Sequence, residues 1–179
     1  GFDTFPATIP TAGKCTIIDF AGKPEYWMPN GVFMDTVSGV FVVLCKLTDP
    51  FEKQFEQLRY WVRFIGSLAR PENKPRVVLV GTHRSAAKTI LQQLQKKDAL
   101  TLEEQADLKA SLSRLERITE GADGLWRCAE VEAYVSQLHA QLGHLVDISP
   151  RLHYVDSVSP ASVDRAEIAT VRSVLNQML

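Results

Sequence analysis

Apolar residues fall into a few short continuous blocks, separated by stripes with helical spacing. The blocks, each bounded by turn residues, cover positions 16–19, 39–47 (GVFVVLCKL) and 76–81 (RVVLVG), with a shorter one at 152–155. The middle two are rich in valine and apolar at successive positions, so a strand there has no polar face to turn to water. That is the pattern of a parallel strand covered by helices on both sides. Between them Phe51, Phe55, Leu58, Val62 and Ile65 recur on one helical face, with Asp49 placed to cap the helix and Pro50 suited to its first turn. Strand, helix, strand is a βαβ unit, and it predicts an α/β fold with a mostly parallel sheet.

After the 76–81 block the pattern is helical. Thr101-Leu-Glu-Glu104 reads as a capping box, followed by Leu108, Leu112 and Leu115 on one face. Val131, Val135, Leu138, Leu142 and Leu145 form a second stripe, which either packs within the domain or presents a protein-binding face. Ile168, Val171 and Leu175 mark a last helix, entered through Ser162. No internal repeat or domain boundary is visible.

Composition narrows the function classes. The chain has 179 residues, 45% of them hydrophobic, enough for one domain with its own core. Basic and acidic residues number 20 and 21 and are interspersed, so the charge pattern lacks the basic footprint of nucleic-acid binding. No apolar run approaches the ~20 residues of a membrane span, and direct membrane insertion is not expected. Cys15, Cys45 and Cys128 have no C-x-x-C spacing and read as reduced residues of a cytoplasmic protein.

Ligands of open α/β sheets bind beyond the carboxyl ends of the strands. The first block ends on Asp19-Phe20-Ala21-Gly22, the third on Gly81-Thr82-His83-Arg84-Ser85, and the last on Asp156-Ser157-Val158-Ser159. These three ends are expected along one edge of the sheet. An aspartate followed three residues on by a glycine is an ordinary turn, and it is also how nucleotide triphosphatases set a carboxylate near Mg²⁺ and an N–H against a terminal phosphate.

In this order the motifs resemble Ras-like GTPases. More closely, IIDFAGKPEYW, DPFEKQFEQLRYWVRFIGSLA and RVVLVGTH resemble the Roc (Ras of complex proteins) domain of Roc-COR proteins, and GFDTFPATI resembles that family's strand after the switch I threonine. The resemblance runs from Gly1 to about Arg84 and resumes at LHYVDSVS, leaving a helical expansion at about 86–151 that matches nothing in the family. It implies a three-layer sandwich with helices on both faces of the sheet, a GTP/GDP and Mg²⁺ site, and a place in a multidomain signalling protein with slow GTP hydrolysis. A homodimer through an attached COR-like region is also implied.

A phosphate-binding loop, G-x-x-x-x-G-K-[ST], is not found: Gly13-Lys14 is followed by Cys15, and Gly22-Lys23 by Pro24. The resemblance therefore implies that the first strand, the phosphate loop and the first helix lie upstream of Gly1, the chain being an incomplete form of that fold. By position, Asp19 would hold Mg²⁺ through water and Gly22 would offer its N–H to the γ-phosphate. Lys23 stands where the water-orienting glutamine is usual, or is a solvated charge. Thr82 and His83 would pack around the base. Ser85 takes the place of the guanine-reading aspartate, or caps the helix that follows. Ser157 and Val158 would touch the base edge, and His153 reads as a packed or surface histidine. The rival reading is a degenerate GTPase-like module for dimerisation or scaffolding, without nucleotide turnover.

Overall fold

The computed structural model describes residues 2–9, 13–20, 39–70, 74–83, 118–123, 125–155 and 165–178. Its elements are strands β1 (Phe2–Ile9), β2 (Gly13–Phe20) and β3 (Val40–Lys46), helix α1 (Phe51–Ser67), and strands β4 (Arg76–Thr82), β5 (Thr119–Glu120) and β6 (Trp126–Arg127). Helix α2 (Ala129–Leu142), strand β7 (Asp147–Tyr154) and helix α3 (Arg165–Met178) complete them. β3, β4 and β7 form a parallel sheet in that order, whereas β1–β2 and β5–β6 are separate antiparallel pairs. The fold class is α/β.

β4 organises the domain. Paired on both sides, it buries four successive residues, Val77 to Val80, each worth about 1.5–3 kcal/mol on removal from water. Val77 and Leu79 join Val43 and Cys45 of β3 and Ile148, Leu152 and Tyr154 of β7 on one face, under α1 and α2. Leu58, Val62 and Ile65 supply the α1 side of this core and Val131, Val135, Leu138 and Leu142 the α2 side. Val78 and Val80 are also buried, and α3 packs on β4 and β7. β3 behaves differently: Val42 and Leu44, in register with Val78 and Val80, remain 46% and 56% exposed.

Several expectations are corrected. Asp49 makes no side-chain cap to α1; Pro50 occupies the cap position, and Asp49 instead pairs with Lys53 at 3.1 Å. The turn is closed by the buried amide of Gln54, which donates to the Asp49 and Leu47 carbonyls at 2.6 and 3.3 Å. These bonds tie the loop carbonyls ahead of α1 to its first turn. Leu145 lies beyond α2 and is exposed, and Val146 takes the buried place. In α3 the face turned inward carries Glu167, fully buried, while Ile168 is exposed.

The 86–151 interval is not wholly helical, since it holds the β5–β6 hairpin and the start of β7. β7 begins at Asp147, well before the expected 152, because Ser149-Pro150 forms an irregularity within the strand instead of a turn ahead of it. There Ser149 Oγ accepts the Leu79 N–H at 3.1 Å and donates to the Arg151 carbonyl at 3.0 Å, so the ladder survives Pro150, which has no N–H. Thr101–Glu104, Leu108, Leu112, Leu115 and Ser162 lie outside the described residues.

Gly81 permits the close approach of β3 and β4 at their carboxyl ends. A Cβ built there would stand 2.6 Å from Leu47 Cδ2 and 3.1 Å from its Cγ. Gly81→Ala is expected to cost about 1–3 kcal/mol in urea unfolding. In a Leu47→Ala background the same substitution should cost much less, because the crowded atoms are gone. An additive double-mutant cycle would contradict this packing.

Candidate functional site

The carboxyl ends of β3, β4 and β7 are held level by two backbone hydrogen bonds. Leu47 N–H donates to the Thr82 carbonyl at 3.0 Å, and Val155 N–H donates to the Gly81 carbonyl at 2.8 Å. Thr82 and His83 thus stand at the middle of a three-strand edge. His83 has a φ of 66°, a left-handed conformation that costs a non-glycine residue about 1–2 kcal/mol and turns the chain sharply off the strand. Thr82 Oγ1 lies 3.2 Å from the Cys45 carbonyl and 2.9 Å from His83 Nδ1. The Cys45 thiol below this edge is not a nucleophile: burial, aided by the negative charge of Asp49, pushes it up to about 12.

Not all the expected residues meet here. Asp19 lies in β2, exposed, on the antiparallel hairpin and not on the edge of the three-stranded sheet. Of the three strand ends expected on one edge, the described residues bring together those of β4 and β7; β2 bonds to β1, and no described strand joins it to β3. Its cross-strand partner is Asp3, and two carboxylates directly opposite repel each other. Gly22, Lys23, Ser85, Ser157 and Val158 lie outside the described residues. Among the described residues no group of three or more histidine, cysteine or acidic side chains could hold a metal, and no helix is long and apolar enough to cross a membrane.

A polar cluster missed by the sequence reading anchors the edge from behind. Glu167 Oε1, from α3, accepts from Arg151 Nη2 at 2.7 Å and from the Tyr154 N–H at 3.0 Å. His153 Nδ1 is 3.5 Å away, and both Glu167 and His153 side chains are fully buried. Arg151 also reaches the Trp126 carbonyl at 3.2 Å, so one guanidinium ties β6, β7 and α3 together. The tyrosine hydroxyl of Tyr154 is raised well above its usual range, mainly by burial. In the sequence, the only hint of this cluster is that Glu167 falls four residues before Val171 on the α3 stripe.

No protein-family model matches the chain. Over 97 residues it is 23% identical to Death-associated protein kinase dapk-1 of Caenorhabditis elegans, a match covering 49% of this chain and 7% of that protein.

Glu167→Gln should destabilise the domain by about 3 kcal/mol, since Arg151 would lose its countercharge in a mostly buried place. The double replacement Arg151→Met with Glu167→Leu should recover part of that loss. Chemical denaturation of the three proteins checks this; a single variant as stable as the parent would mean that the pair anchors nothing.

Proposed function

We propose that the chain is the greater part of a Roc-like GTP-binding switch domain. The observation that carries this reading is the level edge of β3, β4 and β7, where Thr82 and a left-handed His83 project from the strand ends. Edges of this kind are where α/β sheets take their ligands. A second observation supports it: among the described strands β3 has β4 on one side and none on the other, and its open face exposes Val42 and Leu44. A further parallel strand, followed by a covering helix, would bury both. Under this reading that strand leads into the phosphate loop, between β3 and the hairpin that carries Asp19.

Guanine nucleotide would then bind at the edge, and Asp19 would hold Mg²⁺ through water, the cation supplying positive charge against the phosphates. The switch would consist of a difference at the Asp19 end of the hairpin between the GTP and GDP forms. Lys23 has donors and no acceptor, so it cannot orient an attacking water as a glutamine does, and turnover is slow. The small share of the matched kinase that aligns with this chain fits a module of a larger signalling protein; under this reading that protein is cytosolic and dimerises through an attached region. A nucleotide-free scaffold is the second reading, favoured by the same exposed β3 edge, which a partner's strand could extend.

Titration of this chain with Mg²⁺-GTP should show no tight binding, because no phosphate-neutralising loop is among its residues. A longer chain that supplies such a strand and loop ahead of these residues should bind GTP, and in it Asp19→Asn should weaken GTP more than GDP. Equal losses would assign Asp19 to the hairpin alone, and failure of such a chain to bind would favour the scaffold.

A further inference from the structure

We infer that Arg151 couples the β5–β6 hairpin to the docking of α3, so that a change at the hairpin is felt at the helix and at the carboxyl end of β7. One nitrogen makes both links: Arg151 Nη2 donates to the Trp126 carbonyl of β6 at 3.2 Å and to Glu167 Oε1 of α3 at 2.7 Å. It carries two protons, one for each acceptor. The Arg151 side chain is 19% exposed and that of Glu167 is fully buried, so water does not readily replace either bond. If the hairpin withdraws its carbonyl, the guanidinium has two courses. It stays with one N–H unpaired in a mostly buried place, or it turns to solvent and leaves the Glu167 carboxylate without a countercharge. Both raise the free energy of the docked helix.

Glu167 passes the effect on to the sheet. Its Oε1 also accepts the Tyr154 N–H at 3.0 Å, and the next residue, Val155, donates its N–H to the Gly81 carbonyl at 2.8 Å. The Trp126 ring, centred 6.1 Å from the Tyr154 ring, brings the hairpin to the same strand end by a second contact. The hairpin is the part that gives way. Its strands have two residues each, with Thr119 and Glu120 exposed. It is closed by the Gly121 N–H to the Leu125 carbonyl at 2.9 Å and by the bridge of Asp123 to Arg127, side chains 46% and 43% exposed. A two-stranded pair of this kind is marginal by itself and opens at the low end of the stability range. Whatever favours one position of the hairpin therefore acts on α3, with the same free energy by which α3 acts on the hairpin. The coupling gives a use to the 86–151 interval, which the family resemblance leaves unmatched, and it holds whatever the sheet edge binds.

The test is amide hydrogen exchange on the 179-residue chain, with rates in each variant taken relative to the β4 amides, which report global unfolding. Asp123→Ala removes the acceptor of the Leu125 N–H and the partner of Arg127, and so loosens the hairpin without touching Arg151. It should speed exchange of the α3 amides roughly 3- to 10-fold, the factor of one hydrogen bond. In the Arg151→Met with Glu167→Leu background, which removes the link without leaving a buried charge, Asp123→Ala should still loosen the hairpin and should leave α3 unchanged. An α3 that ignores Asp123→Ala in the parent, or responds equally in both backgrounds, would overturn the inference.

The reverse arm reads the coupling from the helix. Glu167→Gln removes the carboxylate that holds Arg151 in place, and it should speed exchange of the Gly121 amide by a similar factor beyond any change in β4. An unchanged Gly121 amide would contradict the coupling. Should Asp123→Ala leave the hairpin itself unmoved, this arm decides alone.

Discussion

Two-sided burial of β4 is the constraint on which the rest of the structure depends. Val77, Val78, Leu79 and Val80 leave water on alternate faces, and a strand with no solvated face must be covered by helices above and below. α1 and α2 meet that need on one side and α3 on the other. β3 and β7 then follow as parallel neighbours, because a helix between consecutive strands returns the chain in the same direction. The strand ends that result are level, and Gly81 lets β3 close in by leaving room for Leu47. The candidate site is a product of this packing: Thr82 and His83 occur where the buried strand runs out.

Cover is unequal across the sheet. α3 lies over β4 and β7, with Glu167 and Arg151 fixing it, while the same face of β3 exposes Val42 and Leu44. Such an edge is a liability in a soluble domain unless something pairs with it. The proposed phosphate-loop strand and the alternative of a protein partner are two ways of meeting the same physical demand. They differ in chemistry. The first brings phosphate-binding N–H groups beside Asp19 and the β4 edge, and the second brings none.

What the sequence made legible follows from the strength of each signal. The valine-rich strands and the α1 stripe carry large, periodic burial energies, and their placement agrees with the pattern at Phe51, Leu58, Val62 and Ile65. Polar residues that are buried through specific partners were not legible. Gln54, Arg151 and Glu167 carry no signal in the apolar pattern, and His153 reads as either packed or surface, until the turn and the strand that receive them are known. The start of β7 was hidden by Ser149-Pro150, a turn signal that the fold absorbs through a side-chain hydrogen bond. Of the site, Thr82 and His83 were legible as a strand end, but the left-handed turn at His83 and its bond to Thr82 were not. Asp19 was read onto the same edge because strand ends alone do not reveal which sheet a strand joins.

The claim that β4 governs the fold is tested most directly by native-state hydrogen exchange resolved to single amides. The backbone groups of Val77 to Gly81 should exchange only through global unfolding, at the slowest rates among the described residues. Those of β1 and β2, a two-stranded pair with exposed residues on both strands, should exchange through local opening and well before them. Equal protection of the hairpin and β4, or protection greatest in the hairpin, would contradict the account.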